Sequence, residues 1–167
     1  MTAALSFSEY QQLVGVIHDQ AAALDEQRWE DWLSFYSETT VFWLPAWIDE
    51  KTLTRDPYTE VSLIYIEGKA ALSDRLWRLT SGNSPASVPL ARTSHLIGNE
   101  RVRLADGENA IIDCRWHTLV YRHKRSWSYG GSCSYTLQRE QGQWRIAKRI
   151  ISLTNDQIDT ALDLYHL

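Results

Sequence analysis

Between residues 92 and 153 four segments rich in β-branched and aromatic residues follow one another, separated only by short polar stretches, and this leaves little choice of architecture. The first opens with Arg92-Thr93-Ser94-His95, and the others run over residues 110–122, 129–139 and 144–153. Their separators, Ala105-Asp106-Gly107-Glu108, Lys124-Arg125-Ser126 and Glu140-Gln141-Gly142-Gln143, are of hairpin length. Four long strands joined this way predict an antiparallel sheet, and everything upstream has to cover it. Along 110–122 the alternation puts Ile111, Asp113, Arg115, His117, Leu119 and Tyr121 on one face. Ala110, Ile112, Cys114, Trp116, Thr118 and Val120 lie on the other. The pair Gly130-Gly131 inside the third segment predicts a bulge or sharp bend there.

The upstream residues supply the cover. Tyr10, Leu13, Val14, Ile17, Ala21 and Leu24 recur at helical steps, predicting a helix over 8–24 capped by Ser6 or Ser8. Trp29, Trp32, Leu33 and Tyr36 predict a second, shorter helix ending before Thr39-Thr40. Val41-Phe42-Trp43-Leu44 reads as a strand at the sheet's edge, stopped by Pro45. Residues 48–59 have no period and form a surface excursion, 62–66 are a brief strand, 68–80 return to helical spacing, and 84–89 are irregular. Thr154-Asn155-Asp156 caps a predicted last helix over 157–164. The expected fold is α+β, a cone-shaped and strongly curved antiparallel sheet around a cavity, covered by the N-terminal helices.

A chain of 167 residues suffices for one domain, 1–167. Its formal charge of -4 offers no basic field to attract nucleic acid. Apolar runs such as 41–47 are far shorter than a membrane span, and MTAALSFSEY lacks a basic region followed by an apolar one, so a soluble, cytoplasmic chain is expected. Cys114 and Cys133 fit a reducing compartment as small core residues, on neighbouring strands where they could approach each other. Eight Trp and eight Tyr are many for so small a domain and point either to a large aromatic core or to subunit contacts; self-association as a trimer is expected.

The residues able to carry chemistry are the His, Cys and carboxylate side chains. Cys114-Arg115-Trp116-His117 has the spacing of half a metal site, but residues three apart on a strand point to opposite faces, and no histidine stands near Cys133. His95 and His117 with Asp31 or Asp113 would make a two-histidine, one-carboxylate iron site, which no local spacing supports. A cone over a bent sheet also suits a small dehydratase or isomerase, for which Asp31, Tyr36, His95 and His117 are the nominees. Against that set, Asp31 falls on the exposed side between Trp29 and Trp32, and His95 can simply bond across the sheet. No phosphate loop, Gly-x-Ser-x-Gly elbow or Cys-x-x-Cys is present.

Taken together, Leu24-Asp25-Glu26-Gln27-Arg28-Trp29-Glu30-Asp31-Trp32-Leu33, Trp43-Leu44-Pro45, Leu72-Ser73-Asp74-Arg75-Leu76, Arg92-Thr93-Ser94-His95 with Asn99, and Trp144-Arg145-Ile146-Ala147-Lys148-Arg149 make the chain resemble the small (beta) subunit of Rieske-type aromatic-ring-hydroxylating dioxygenases. Residues 56–65 and 162–167 are most similar to the anthranilate and 2-halobenzoate enzymes, with benzoate-type subunits next. The resemblance implies an NTF2-like (cystatin-like) cone and an assembly of three large and three small subunits. It further implies that the Rieske [2Fe-2S] cluster, the mononuclear iron and the substrate pocket lie in the large subunit, leaving this chain with no catalytic, cofactor or metal residues and a structural part. The implied reaction is cis-dihydroxylation of an aromatic carboxylate with molecular oxygen and electrons from NADH through a reductase or ferredoxin.

Overall fold

Ser6 begins the first element. Its hydroxyl accepts from the Glu9 backbone N–H at 3.2 Å while Glu9 reaches back to the Ser6 N–H at 3.0 Å, a capping box that starts α1, Phe7–Asp25. The computed structural model describes residues 5–158 and 160–167. After α1 come α2 (Trp29–Ser34), β1 (Tyr36–Pro45), β2 (Ser62–Glu67) and α3 (Lys69–Thr80). The long strands follow as β3 (Arg92–Ala105), β4 (Asn109–Arg122), β5 (Arg125–Glu140) and β6 (Gln143–Leu153).

All six strands form one sheet in the order β2-β1-β6-β5-β4-β3. The hairpins β3-β4, β4-β5 and β5-β6 are antiparallel, as their short connections require. His123 and Lys124 carry the positive φ values of 52° and 64° that a two-residue turn matching the strand twist demands, and Gln141-Gly142 repeats this with 51° and 80°. Because the turn occupies His123-Lys124, β5 begins at Arg125, four residues earlier than its apolar content suggests.

Two features correct the expected layout. β1 pairs antiparallel with β2 but parallel with β6, so the sheet is mixed, and β1 lies inside it while β2 and β3 form the edges. The Gly130-Gly131 pair marks no bulge: β4 and β5 run in continuous register past it. A Cβ on Gly131 would stand 1.9 Å from the Ser152 carbonyl oxygen, so the glycine is there because β6 crosses too close for a side chain.

The interior lies between the sheet and the helices. α1 packs against β3, α2 against α1 and β1, and α3 against β1 and β2. The inward face of β4 (Ala110, Ile112, Cys114, Trp116, Thr118, Val120) is buried as the alternation predicts. Trp32, Tyr36 and Phe42 form an aromatic file with successive ring centroids 4.8 and 6.5 Å apart. Where a last helix over 157–164 is predicted, the described residues hold no α-helix, only a 3-10 turn at Leu164–His166. Arg75 of α3 grips the Asp163 carboxylate with two hydrogen bonds of 2.9 Å, and Leu164, Tyr165 and Leu167 enter the core.

Candidate functional site

The residues nominated from sequence do not converge. Asp31 is exposed on α2 and bonded to Arg28 at 2.6 Å, beside an open depression of about 500 Å³ that also involves Trp29 and Trp77. His117 projects from the outward face of β4, at the register position opposite Leu96. Tyr36 and His95 are both interior but belong to separate clusters. The Asp31, Tyr36, His95 and His117 pocket is therefore not assembled, because strand alternation and the exposed side of α2 send two of its members to solvent.

His95 instead pairs with Asp25, a residue the sequence reading did not select. The ring Nδ1 lies 2.6 Å from Asp25 Oδ1, the His95 backbone N–H donates to Oδ2 at 2.8 Å, and the Thr93 hydroxyl donates to Oδ1 at 2.8 Å. Burial alone would raise the Asp25 carboxyl, but these bonds from His95 and Thr93 overcome it and hold the group below the usual carboxylate range. Asp25 ends α1 on the stripe of Ile17 and Ala21, at spacings of four, so a carboxylate prolonging an apolar stripe was the available signal. His95 Nε2 and the Thr118 hydroxyl, facing each other in register, are buried without hydrogen-bond partners. Nearby, His166 stacks edgewise on Tyr129 at 5.4 Å, and burial, helped by His95 and Arg122, pushes its pKa down to about 4.

The second cluster surrounds Arg149 of β6, whose side chain is fully buried. Its Nη1 donates to the Tyr36 hydroxyl at 3.2 Å and to Gln20 Oε1 at 3.5 Å. Gln20 in turn accepts from Trp32 Nε1 at 3.0 Å and donates to the Tyr135 hydroxyl at 3.2 Å. The guanidinium also lies over the rings of Phe42 and Tyr135, at 5.3 and 5.2 Å. Thus the predicted cavity region carries a polar-aromatic network joining α1, α2, β1, β5 and β6.

Neither cluster fits an iron centre. Among the described residues no three His, Cys, Asp or Glu side chains gather as a metal would require. A Rieske cluster needs two cysteines and two histidines. Here Cys114 and Cys133 face the interior on adjacent strands while His117 faces out. His117 and Asp113 share the outward face, whereas His95 points inward, so an iron triad does not form either.

The sequence profile of the family described as ring hydroxylating beta subunit matches residues 19–160. The chain belongs to this family. This beta subunit is 37% identical to benzoate 1,2-dioxygenase subunit beta of Acinetobacter baylyi, over 99% of the chain and 98% of that protein. It is 39% identical to the 2-halobenzoate 1,2-dioxygenase small subunit of Burkholderia cepacia, over 96% and 97%. The solved beta subunit of benzoate 1,2-dioxygenase from Burkholderia mallei superposes with a TM-score of 0.79 at 32% identity, covering 98% of the chain and 99% of that structure. An NTF2-like protein with a cystatin-like fold from Novosphingobium aromaticivorans, at 14% identity and a TM-score of 0.65, shares the fold alone. As a beta subunit of a ring-hydroxylating dioxygenase the chain is part of an oxidoreductase and works with a large-subunit partner. Among the described residues no helix is long and apolar enough to cross a membrane.

Proposed function

We propose that the chain is the non-catalytic small subunit of a cytoplasmic terminal oxygenase that cis-dihydroxylates a benzoate-type aromatic carboxylate. In this reading it assembles as three large and three small subunits, and the large subunit carries the Rieske cluster, the mononuclear iron and the substrate pocket. Electrons come from NADH through a reductase. The observation that supports the structural part is the separation of the candidate ligands: His95 faces inward and pairs with Asp25, His117 lies on the opposite face of the sheet, and among the described residues no three His, Cys, Asp or Glu side chains gather as a metal would require. The relatives that act on benzoate and 2-halobenzoate support the substrate class.

Iron analysis of the separately purified subunits, combined with single-turnover assays on reconstituted complexes, tests the proposal. Iron is expected with the large subunit only. His95→Ala and His117→Ala complexes should lose activity only in proportion to the complex that fails to assemble. Stoichiometric iron in this chain, or a His95→Ala complex that assembles fully yet is inactive, overturns it.

A further inference from the structure

Cys114 and Cys133 are direct partners across β4 and β5, both free, both on the inward face and both only 3% exposed. Opposed residues of an antiparallel pair hold their Cβ atoms about 4.5–5.5 Å apart, close to the separation a disulfide spans after a small adjustment. One register step away, Arg149 pairs with Tyr135, which places its guanidinium diagonally across from Cys133 on the same face. Arg149 is a fully buried cation whose hydrogen-bond partners are neutral, the Tyr36 hydroxyl and the Gln20 amide, while Nε and Nη2 find no oxygen or nitrogen partner. A buried cation without a counter-charge is costly enough that some neighbouring acid should ionise to meet it. The ionisable groups facing it are the Tyr36 and Tyr135 phenols and the Cys133 and Cys114 thiols, with Glu100 acting on Cys114 from β3. Thiols ionise more readily than phenols, and Cys133, on the strand that pairs with β6, is nearer to Arg149 than Cys114, one strand further away.

We propose that Cys114 and Cys133 are a redox pair, in which Cys133 is the counter-charge of Arg149 and a two-electron oxidant such as hydrogen peroxide closes the two into a cross-strand disulfide. The electrostatics agree. Burial raises the Cys133 thiol, but donation from Cys114 and the Arg149 charge outweigh it and bring it down to about 7, whereas its bond to Cys133 and burial push Cys114 up. The Cys133 thiolate attacks one peroxide oxygen, the O–O bond breaks, and hydroxide leaves a sulfenic acid. Cys114 sulfur then attacks the Cys133 sulfur and expels its oxygen, which departs as water with the Cys114 proton. Two electrons pass from the sulfurs to one peroxide, giving one disulfide, one water and one hydroxide.

Two measurements on the full chain and on its complex with the large subunit test this. Titrated from about pH 5 to about pH 8, the native protein should gain the ultraviolet absorbance of a single thiolate, lost in Cys133→Ser and retained in Cys114→Ser. Peroxide followed by denaturation and alkylation should leave neither cysteine alkylated in the wild type, with the disulfide recovered as a 114–133 peptide pair and reversed by dithiothreitol. Retention of the thiolate signal in Cys133→Ser, its absence from the wild type, or oxidation that stops at separate sulfinic acids without a linked peptide would each overturn the proposal.

Discussion

At the scale of single residues, burial sets the protonation of the interior. His166 holds its pKa near 4 in the fold against 6.5 in an exposed chain, so the unfolded state takes up a proton that the native state refuses. The stabilising contribution is present above about pH 6.5 and is lost as the pH falls toward 4, in total on the order of 3 kcal/mol. Asp25 acts lower on the scale: its depressed carboxyl contributes stability above its usual 3.8, which disappears only as the pH falls through the folded value. Urea titrations at pH 7.5 and 4.5 should therefore show a marked loss for the wild type and a smaller one for His166→Gln, which keeps an acceptor for the Asp163 N–H. Equal losses would remove His166 from the account. None of this was readable from local sequence. Asp25 and His95 lie 70 positions apart, and a pairing that distant leaves no spacing signature; only the carboxylate on the Ile17-Ala21 stripe hinted at it.

At the scale of elements, the sequence was legible where local rules and the fold agree. The period of two along β4 fixed which residues face inward, and the polar separators around Asp106, Lys124 and Gln141-Gly142 fixed the hairpins, although the middle turn falls at His123-Lys124 and not over Lys124-Arg125-Ser126. It was illegible where long-range packing decides. The parallel pairing of β1 with β6 joins segments about a hundred residues apart, and the helical spacing of 157–164 yields to the Arg75 grip on Asp163, which leads Leu164, Tyr165 and Leu167 into the core. Two glycines separate local from long-range demands. Gly15, inside α1, has no atom within 4 Å of an added Cβ, so Gly15→Ala should raise stability by roughly 0.5–1 kcal/mol through helix propensity. Gly131→Ala drives a methyl into the Ser152 carbonyl and should cost about 3 kcal/mol or more by prising β6 from β5. Chemical denaturation of the two variants measures both, and a neutral Gly131→Ala would refute the close-crossing argument.

At the scale of the whole molecule, the sheet is finished on one side only. Its inward face is covered by helices, but the outward face of β3 and β4 presents Leu96 at 69% and Leu119 at 49% exposure, diagonal neighbours through the Leu96-His117 and Ser94-Leu119 pairs. Beside them Arg92 stacks over the Tyr121 ring at 4.8 Å. The same face continues into a depression of about 750 Å³ that includes Arg101, Arg103, Arg115 and Ser132, where Arg103 is ion-paired to Asp113. An apolar centre carrying an aromatic-arginine stack, rimmed by arginines and serines, is the composition that protein–protein contacts favour. A role in assembly requires such a surface, and the proposed trimer of small subunits would use it. Leu96→Asp with Leu119→Asp introduces two charges that burial at an interface would leave unpaired, while neither side chain enters the core, so the fold should survive. Sedimentation of the double variant should shift from trimer to monomer with circular dichroism unchanged, and its complexes with the large subunit should fall in yield while activity per assembled complex stays at the wild-type value. A double variant that still sediments as a trimer would move the contact to another face, the exposed edge of β2 together with Tyr58 and Val61 of the segment before it being the next surface to test.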